Sequence, residues 1–335
     1  MRLRRQTIAV FLAVFAALFL PLAAQAVSCT TESEMTSAER SLYEQAARSL
    51  GAQIQSGNTT AVRASTVATV AAQFSSLAGS IEQVSPQIQK AMLTVDALYN
   101  LNALDLQSDA DQAQFFCGVP GSALVVTVTI PQLPPGNYVL AVLHATGVEQ
   151  PQQLSLILEN EPKGSAEWKL AGLYIRALTA AGHDGVWFWK QARDFSIKKQ
   201  NWNAYFYYQT AEFLLNPVDF LSSPNLEKLQ KEAQGVRPAD LPGKEPLVVK
   251  AGAESLEVTA LRTESFQGGL DLVVDYKAKN VSGPVATRVQ IVELMKAMLA
   301  QHPELREAFH GLWVYAYYDN GQPPFAIELP MNQIQ

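Results

Sequence analysis

Four histidines, two cysteines and a run of aromatic side chains are the residues here whose types could do chemistry. The histidines are His144, His183, His302 and His310. A zinc site wants clustered ligands, often two on one helix face. Pro303 separates His302 from His310, so a single helix face cannot present both. Asp105, Asp109 and Asp111 lie close together but lack the glycine and terminal glutamate of a calcium loop. They read as a solvated acidic turn. Ser196-Ile197-Lys198-Lys199 contains S-x-x-K without its companion motifs. No G-x-S-x-G elbow, phosphate loop or dinucleotide fingerprint occurs. The expectation is a chain with no metal, no cofactor and no catalytic residue.

The cysteines carry a different chemistry. The chain begins with Arg2, Arg4 and Arg5, followed by an apolar run from Ile8 to Leu20 and then Ala24-Gln25-Ala26. A basic start, an apolar core and a small-x-small exit describe a signal peptide cleaved after Ala26. The run to Ala24 is at the lower edge for spanning a bilayer, so an uncleaved anchor is the alternative. Lipidation of Cys29 is a third. The expected location is periplasmic or secreted. In an oxidising compartment Cys29 and Cys117 are expected to pair, rather than to remain two unrelated thiols. Closing so long a loop is worth about 4 to 5 kcal/mol in the chain-entropy model.

Charge narrows the partners. The precursor has 25 basic and 31 acidic residues. The leader removes three arginines and no acids, leaving 22 against 31, or −9. Nucleic acid demands basic patches, and anionic lipid does too. No nucleic acid is expected, and no membrane span once the leader is gone. A protein or peptide partner in the cell envelope fits the balance better. With hydrophobic content of 48% the chain can build real cores.

These residues must be positioned by local elements. Thr36-Ser37-Ala38-Glu39 is a capping-box pattern opening a helix with Leu42, Ala46, Leu50 and Ile54 on one side. A second helix is expected over 60–77. A third should start at Ser85-Pro86, with a stripe of Ile88, Met92, Val95 and Tyr99. Strands follow over 123–130, 138–145, 152–160 and 167–176, joined by short turns, so an antiparallel meander is expected. Residues 184–217 read as an aromatic helical hairpin, and Ser223-Pro224 caps a further helix. Residues 235–250 hold three prolines and read as a linker. Beyond it, two strands, a helix along Val285, Val289, Val292 and Leu299, and a closing hairpin make ββαββ. The fold class is α+β: helices packed on an antiparallel sheet (27–176), a helical hairpin region (177–234), then a small ββαββ domain (251–335).

Two segments resemble known families. Glu167-Trp168-Lys169-Leu170-Ala171-Gly172-Leu173-Tyr174-Ile175 looks like the last strand of exported domains whose cone-shaped fold is similar to nuclear transport factor two. That resemblance implies a small-molecule site between helices and sheet. His144 is the histidine of the meander, with Tyr138, Leu140 and Val142 on its face. An enzyme site around His144 and Tyr138 is therefore the alternative function. Phe188, Ala192, Phe195, Ala204, Tyr208 and Ala211 fall at the intervals of a single tetratricopeptide-like hairpin. Gln191 stands where that family has leucine, and Pro217 comes one residue late. The resemblance implies a partner surface at Val186, Trp189, Arg193 and Ser196, with Trp189 and Arg193 forming a stacking and anion-pairing corner. Around it cluster Trp187, Trp202, Tyr205, Phe206, Tyr207 and Tyr208, and Tyr205 joins the expected binding residues. Packing is the other use of such a cluster. The leading expectation is an exported, non-catalytic binding or scaffolding protein.

Overall fold

The computed structural model describes residues 27–335 apart from 119, 120, 123, 162, 163, 280–282 and 320. The expected leader and its cleavage site lie outside the described residues. Strand β1 (Ser28–Thr31) comes first. Helix α1 (Ser37–Gln55) begins at the capping box: Thr36 Oγ1 accepts the Glu39 amide at 3.2 Å, and Glu39 accepts the Thr36 amide at 2.8 Å.

The expected helix over 60–77 is broken into α2 (Thr59–Ala64), α3 (Ala68–Ala71) and the start of α4 (Ser75–Ile88). The break lets 65–67 lie beside a later strand, where Leu170 donates to Ser65 O at 2.8 Å and Val67 donates to Leu170 O at 3.0 Å. Pro86 opens no helix. It sits in the last turn of α4 on an exposed side, where water can serve the carbonyl it strands.

The expected helical stripe through Met92, Val95 and Tyr99 is a strand, β2 (Met92–Asn102). A bulge between Val95 and Ala97 explains the misreading. Leu93, Val95 and Leu98 all face the helices, and the extra residue stretches a period of two into a helix-like step. Tyr99 and Leu101 face the opposite way.

Then come β3 (Ala110–Gly118), β4 (Val125–Leu133), β5 (Asn137–Thr146), β6 (Gln152–Asn160) and β7 (Trp168–Ala177). The main sheet runs β1-β2-β5-β6-β7, all antiparallel. The expected meander is thus three strands long, since β4 leaves it to pair with β3 in a second sheet. Helices α1, α2 and α4 cover one face of the main sheet, burying Val139, Ala141, Leu143 and Ala145 of β5. The second sheet covers the other, burying Tyr138 and Leu140 with Phe115, Cys117 and Val128. The layers are helix, sheet, sheet.

A two-residue hairpin, β8 (Thr179–Ala180) and β9 (His183–Asp184), leads into α5 (Gly185–Ile197) and α6 (Asn201–Leu215). These form the expected helical hairpin. The chain then returns to the first unit: β10 (Leu221–Ser222) pairs with β4, and Val218, Leu221 and Leu226 join the core between the two sheets. Helix α7 (Pro224–Gly235) starts at the Ser223 cap with proline in its first turn.

The last unit has one strand more than expected. β11 (Leu247–Ala251) lies in the segment read as linker. β12 (Glu254–Phe266) and β13 (Gly269–Lys277) follow, then α8 (Pro284–Gln301), the single turn α9 (Leu305–Ala308), β14 (Gly311–Tyr317) and β15 (Phe325–Pro330). Their order in the sheet is that of the chain, and only β13 and β14 run parallel, joined across α8. The expected stripe on α8 points outward at Val285 and Val289, which are 80% and 61% exposed. Its inward face carries Ile291, Leu294 and Met298 beside the polar Thr287 and Gln290. Tyr318 and Tyr276 hydroxyls satisfy those two, so the buried face looks polar in sequence. The hairpin α5–α6 shares this unit's core.

Candidate binding groove

The corner expected at Trp189 and Arg193 is built as the spacing suggested, with the guanidinium 4.6 Å from the Trp189 ring centre. It is already occupied. Glu232 of α7 accepts Arg193 Nε at 2.8 Å, Arg193 Nη2 at 2.9 Å and Trp189 Nε1 at 2.8 Å, with the Tyr208 hydroxyl at 3.3 Å. Burial pushes the Glu232 carboxyl up, but these donors outweigh it and hold it below the usual range. The Tyr208 phenol is pushed up to about 12 by burial and by Glu232. No free anion-pairing corner is left, because the third helix supplies the anion. Val186 is exposed and Ser196 half-buried on the same helix. Glu232→Ala strands four donor groups on three residues and is expected to cost about 1–3 kcal/mol, read by urea unfolding. A change below a few tenths would show that the corner is not a clamp.

His144 does not face the helices. Even-numbered residues of β5 point toward the second sheet and its rim, odd-numbered ones into the helix-covered core. Its Nε2 is 3.2 Å from Gln153 Oε1 and its Nδ1 3.5 Å from the half-exposed Asp96. The space between helices and sheet holds Ile54, Ile81, Leu143 and Leu154, all fully buried. Tyr138 donates to Pro134 O at 3.0 Å, and burial, with Glu159 and Asp109 nearby, keeps its phenol protonated. The expected small-molecule site around His144 and Tyr138 is therefore corrected: Tyr138 braces a turn inside the sheet–sheet core, and His144 sits at its edge.

A cleft of about 1110 Å³ opens elsewhere, between the first unit, α6 and the C-terminal sheet. Among the expected binding residues Tyr205 alone lines it. Its hydroxyl accepts a bond from Arg237 at 2.9 Å. One wall is Gln209, Thr210 and the half-exposed Phe213 of α6. Another is the chain from Ala177 through Gly182, with Gln150 and Gln152 behind it.

The third wall is β12. Leu261, Thr263 and Ser265 line the cleft, and so do Arg262 and Glu264 between them. Alternate residues point to opposite sheet faces. Only a strand seen edge-on presents both sets to one space. The pairing agrees: β11 bonds to residues 254–258 of β12 and stops at Val258. From Ala260 to Phe266, β12 pairs with β13 alone. Among the described residues no other backbone bonds reach this stretch. Ala181 N–H donates to Ser265 Oγ at 2.9 Å and ties the second wall to the far end of the edge.

Charges in the cleft are few. Arg262 is paired to Asp275 at 2.7 Å, leaving Glu149 and Glu264 as its acids. Amides, hydroxyls and rings dominate, a lining for an uncharged polar chain rather than for a phosphate. Sequence reasoning missed the cleft because its walls come from distant segments and its key feature is a bond that β11 does not make.

Among the described residues one group of acids and histidine is tight enough to hold a cation: Asp271, His310 and Glu328, with one donor atom from each within 4.8 Å of the others. The sequence hid it, since Asp271 alternates with apolar residues and looks like a solvent-facing strand position. Burial pushes the Asp271 carboxyl up, and burial with Asp271 pushes Glu328 up. Among the described residues no helix is long and apolar enough to cross a membrane. Cys29 and Cys117 are joined in a disulfide. No family model, no curated protein and no solved structure matches the chain.

Proposed function

We propose that this is an exported, non-catalytic binding protein that holds an extended peptide segment in the cleft, as an added strand on the open edge of β12. The observation that carries the reading is the stretch from Ala260 to Phe266, paired on one side only, of which Leu261 to Ser265 line a cleft wall. An open edge offers every second residue's N–H and C=O to a partner backbone. Peptide recognition by strand addition uses this chemistry, with side pockets for alternate side chains. Phe213 and Tyr205 supply apolar surface, and Gln209 and Gln150 supply amides for the partner's polar groups. The disulfide supports a location outside the cytoplasm, periplasmic or secreted, because bridges persist in oxidising compartments.

Hydrogen exchange tests this directly. In the free chain, alternate amides over 260–266 are expected to exchange fast, while those of Glu257 and Val258, which stand between β11 and β13, stay protected. Peptides selected against the immobilised chain from a random library are expected to slow the same amides. Phe213→Ala should weaken those peptides about tenfold, or roughly 1.4 kcal/mol. Peptides that bind tightly yet leave 260–266 unprotected would remove the reading.

A further inference from the structure

We infer that Asp271, His310 and Glu328 form a binding site for a divalent transition cation of the zinc class, with Gly311 as its floor. The three residues come from adjacent strands. β13 and β14 run parallel with Leu272 beside Leu312, which sets Asp271 next to Gly311. Glu328 of β15 stands opposite Trp313. His310 immediately precedes β14. Both carboxylates lean over position 311, where there is no side chain. A Cβ built there would lie 2.6 Å from Glu328 Oε1 and 3.1 Å from Asp271 Oδ1. Any other residue would fill the space the two carboxylates share.

Two facts argue that this space has an occupant. The Asp271 side chain has no exposure at all, yet its Oδ2 has no hydrogen-bond partner. Glu328 Oε1 is also buried without one. Buried carboxylate oxygens are ordinarily paired, because a bare one loses its water and gains nothing in return. The charge is equally unbalanced. Among the described residues, the neighbour that can carry positive charge toward both acids is His310, whose Nδ1 lies 3.1 Å from Asp271 Oδ1. A divalent cation answers both deficits, since it accepts the free lone pairs and offsets two negative charges.

The donor set chooses among cations. Calcium and magnesium favour oxygen-only shells. An imidazole with two carboxylates suits zinc and its first-row neighbours. Zinc bonds of about 2.0–2.1 Å in a tetrahedron place ligand atoms roughly 3.3 Å apart. The 3.1 Å pair already has that spacing, and the widest separation, 4.8 Å, must close by rotation of a side chain. Three protein ligands leave a fourth position. His310 is 38% exposed and lines a small cavity of about 290 Å³ with His183 and Trp187, so its imidazole can be reached from solvent.

The test uses the chain from residue 27 onward, stripped with EDTA and dialysed. Calorimetric titration with Zn²⁺ is expected to give one tight site per chain, with no response to Ca²⁺. Glu328→Gln keeps the side-chain shape, and His310→Ala alters an exposed ring, so both variants are expected to fold. Each should weaken zinc at least tenfold. His302→Ala, on the other histidine flanked by acids (Asp240 and Glu304), should leave the titration unchanged. If the wild-type chain takes up no zinc, or if either site variant keeps wild-type affinity, the inference is overturned, and the acids instead share a proton.

Discussion

Replacing Cys29 and Cys117 together by serine is expected to lower the unfolding free energy by about 4 to 5 kcal/mol. The bridge spans 88 residues, and closing a loop of that length removes much of the freedom of the unfolded chain. It also joins two layers. Cys29 lies on β1 at the edge of the main sheet, and Cys117 on β3 in the second. Around it the interface is apolar, with Cys117, Phe115 and Val128 fully buried. The two serine hydroxyls that replace the bridge stand side by side and can bond each other, so the loss is that of the cross-link. Urea unfolding of the double variant and of the reduced wild-type chain should agree with each other and fall well below the oxidised protein. If reduction leaves the midpoint unchanged, the bridge is not a stabilising staple.

Two neighbouring residues on β5 should behave in opposite ways. Leu143→Ala is expected to cost about 2–5 kcal/mol, while His144→Ala should cost less than about 1 kcal/mol. Leu143 is fully buried under α1. It packs so closely that a Cβ on Gly51 of that helix would come within 2.8 Å of its Cδ2. Glycine at 51 is what lets helix and strand approach, so little can collapse into the cavity the alanine leaves. His144 bonds to Gln153 and reaches toward Asp96 at the sheet's margin, where water can replace both. Equal losses from the two variants would mean that the inner face of β5 has been assigned wrongly.

What the sequence discloses follows from how local each signal is. The Thr36–Glu39 box and the Ser223 cap need only neighbours three residues away, and both stand where the sequence puts them. β6 spans Gln152–Asn160 because its leucines alternate without interruption. β2 was illegible because a bulge mimics helical spacing, and β3 because its outward residues are mostly polar and only Ala113, Phe115 and Cys117 face inward. The α8 stripe misled because polar residues with buried partners look like a solvent face. At the candidate sites the limit is distance along the chain. The stacking of Arg193 on Trp189 could be read from a spacing of four residues, but Glu232, which neutralises it, could not. The cleft and the acid–histidine cluster depend on strand order and register, which no local pattern records.

The return of β10 to the first unit has a consequence for how the molecule is made. Until Leu221 and Ser222 arrive, the outer margin of β4 is bare, and the gap filled by Val218, Leu221 and Leu226 stands open. A chain delivered from its N-terminus therefore carries an unfinished sandwich while the whole α5–α6 hairpin is being synthesised. Proteolytic fragments ending near residue 176 should clump, whereas those reaching past Leu226 should stay dispersed. The hairpin is thus threaded through the maturation of its neighbour, and a cut at residue 176 removes part of the first unit's own core.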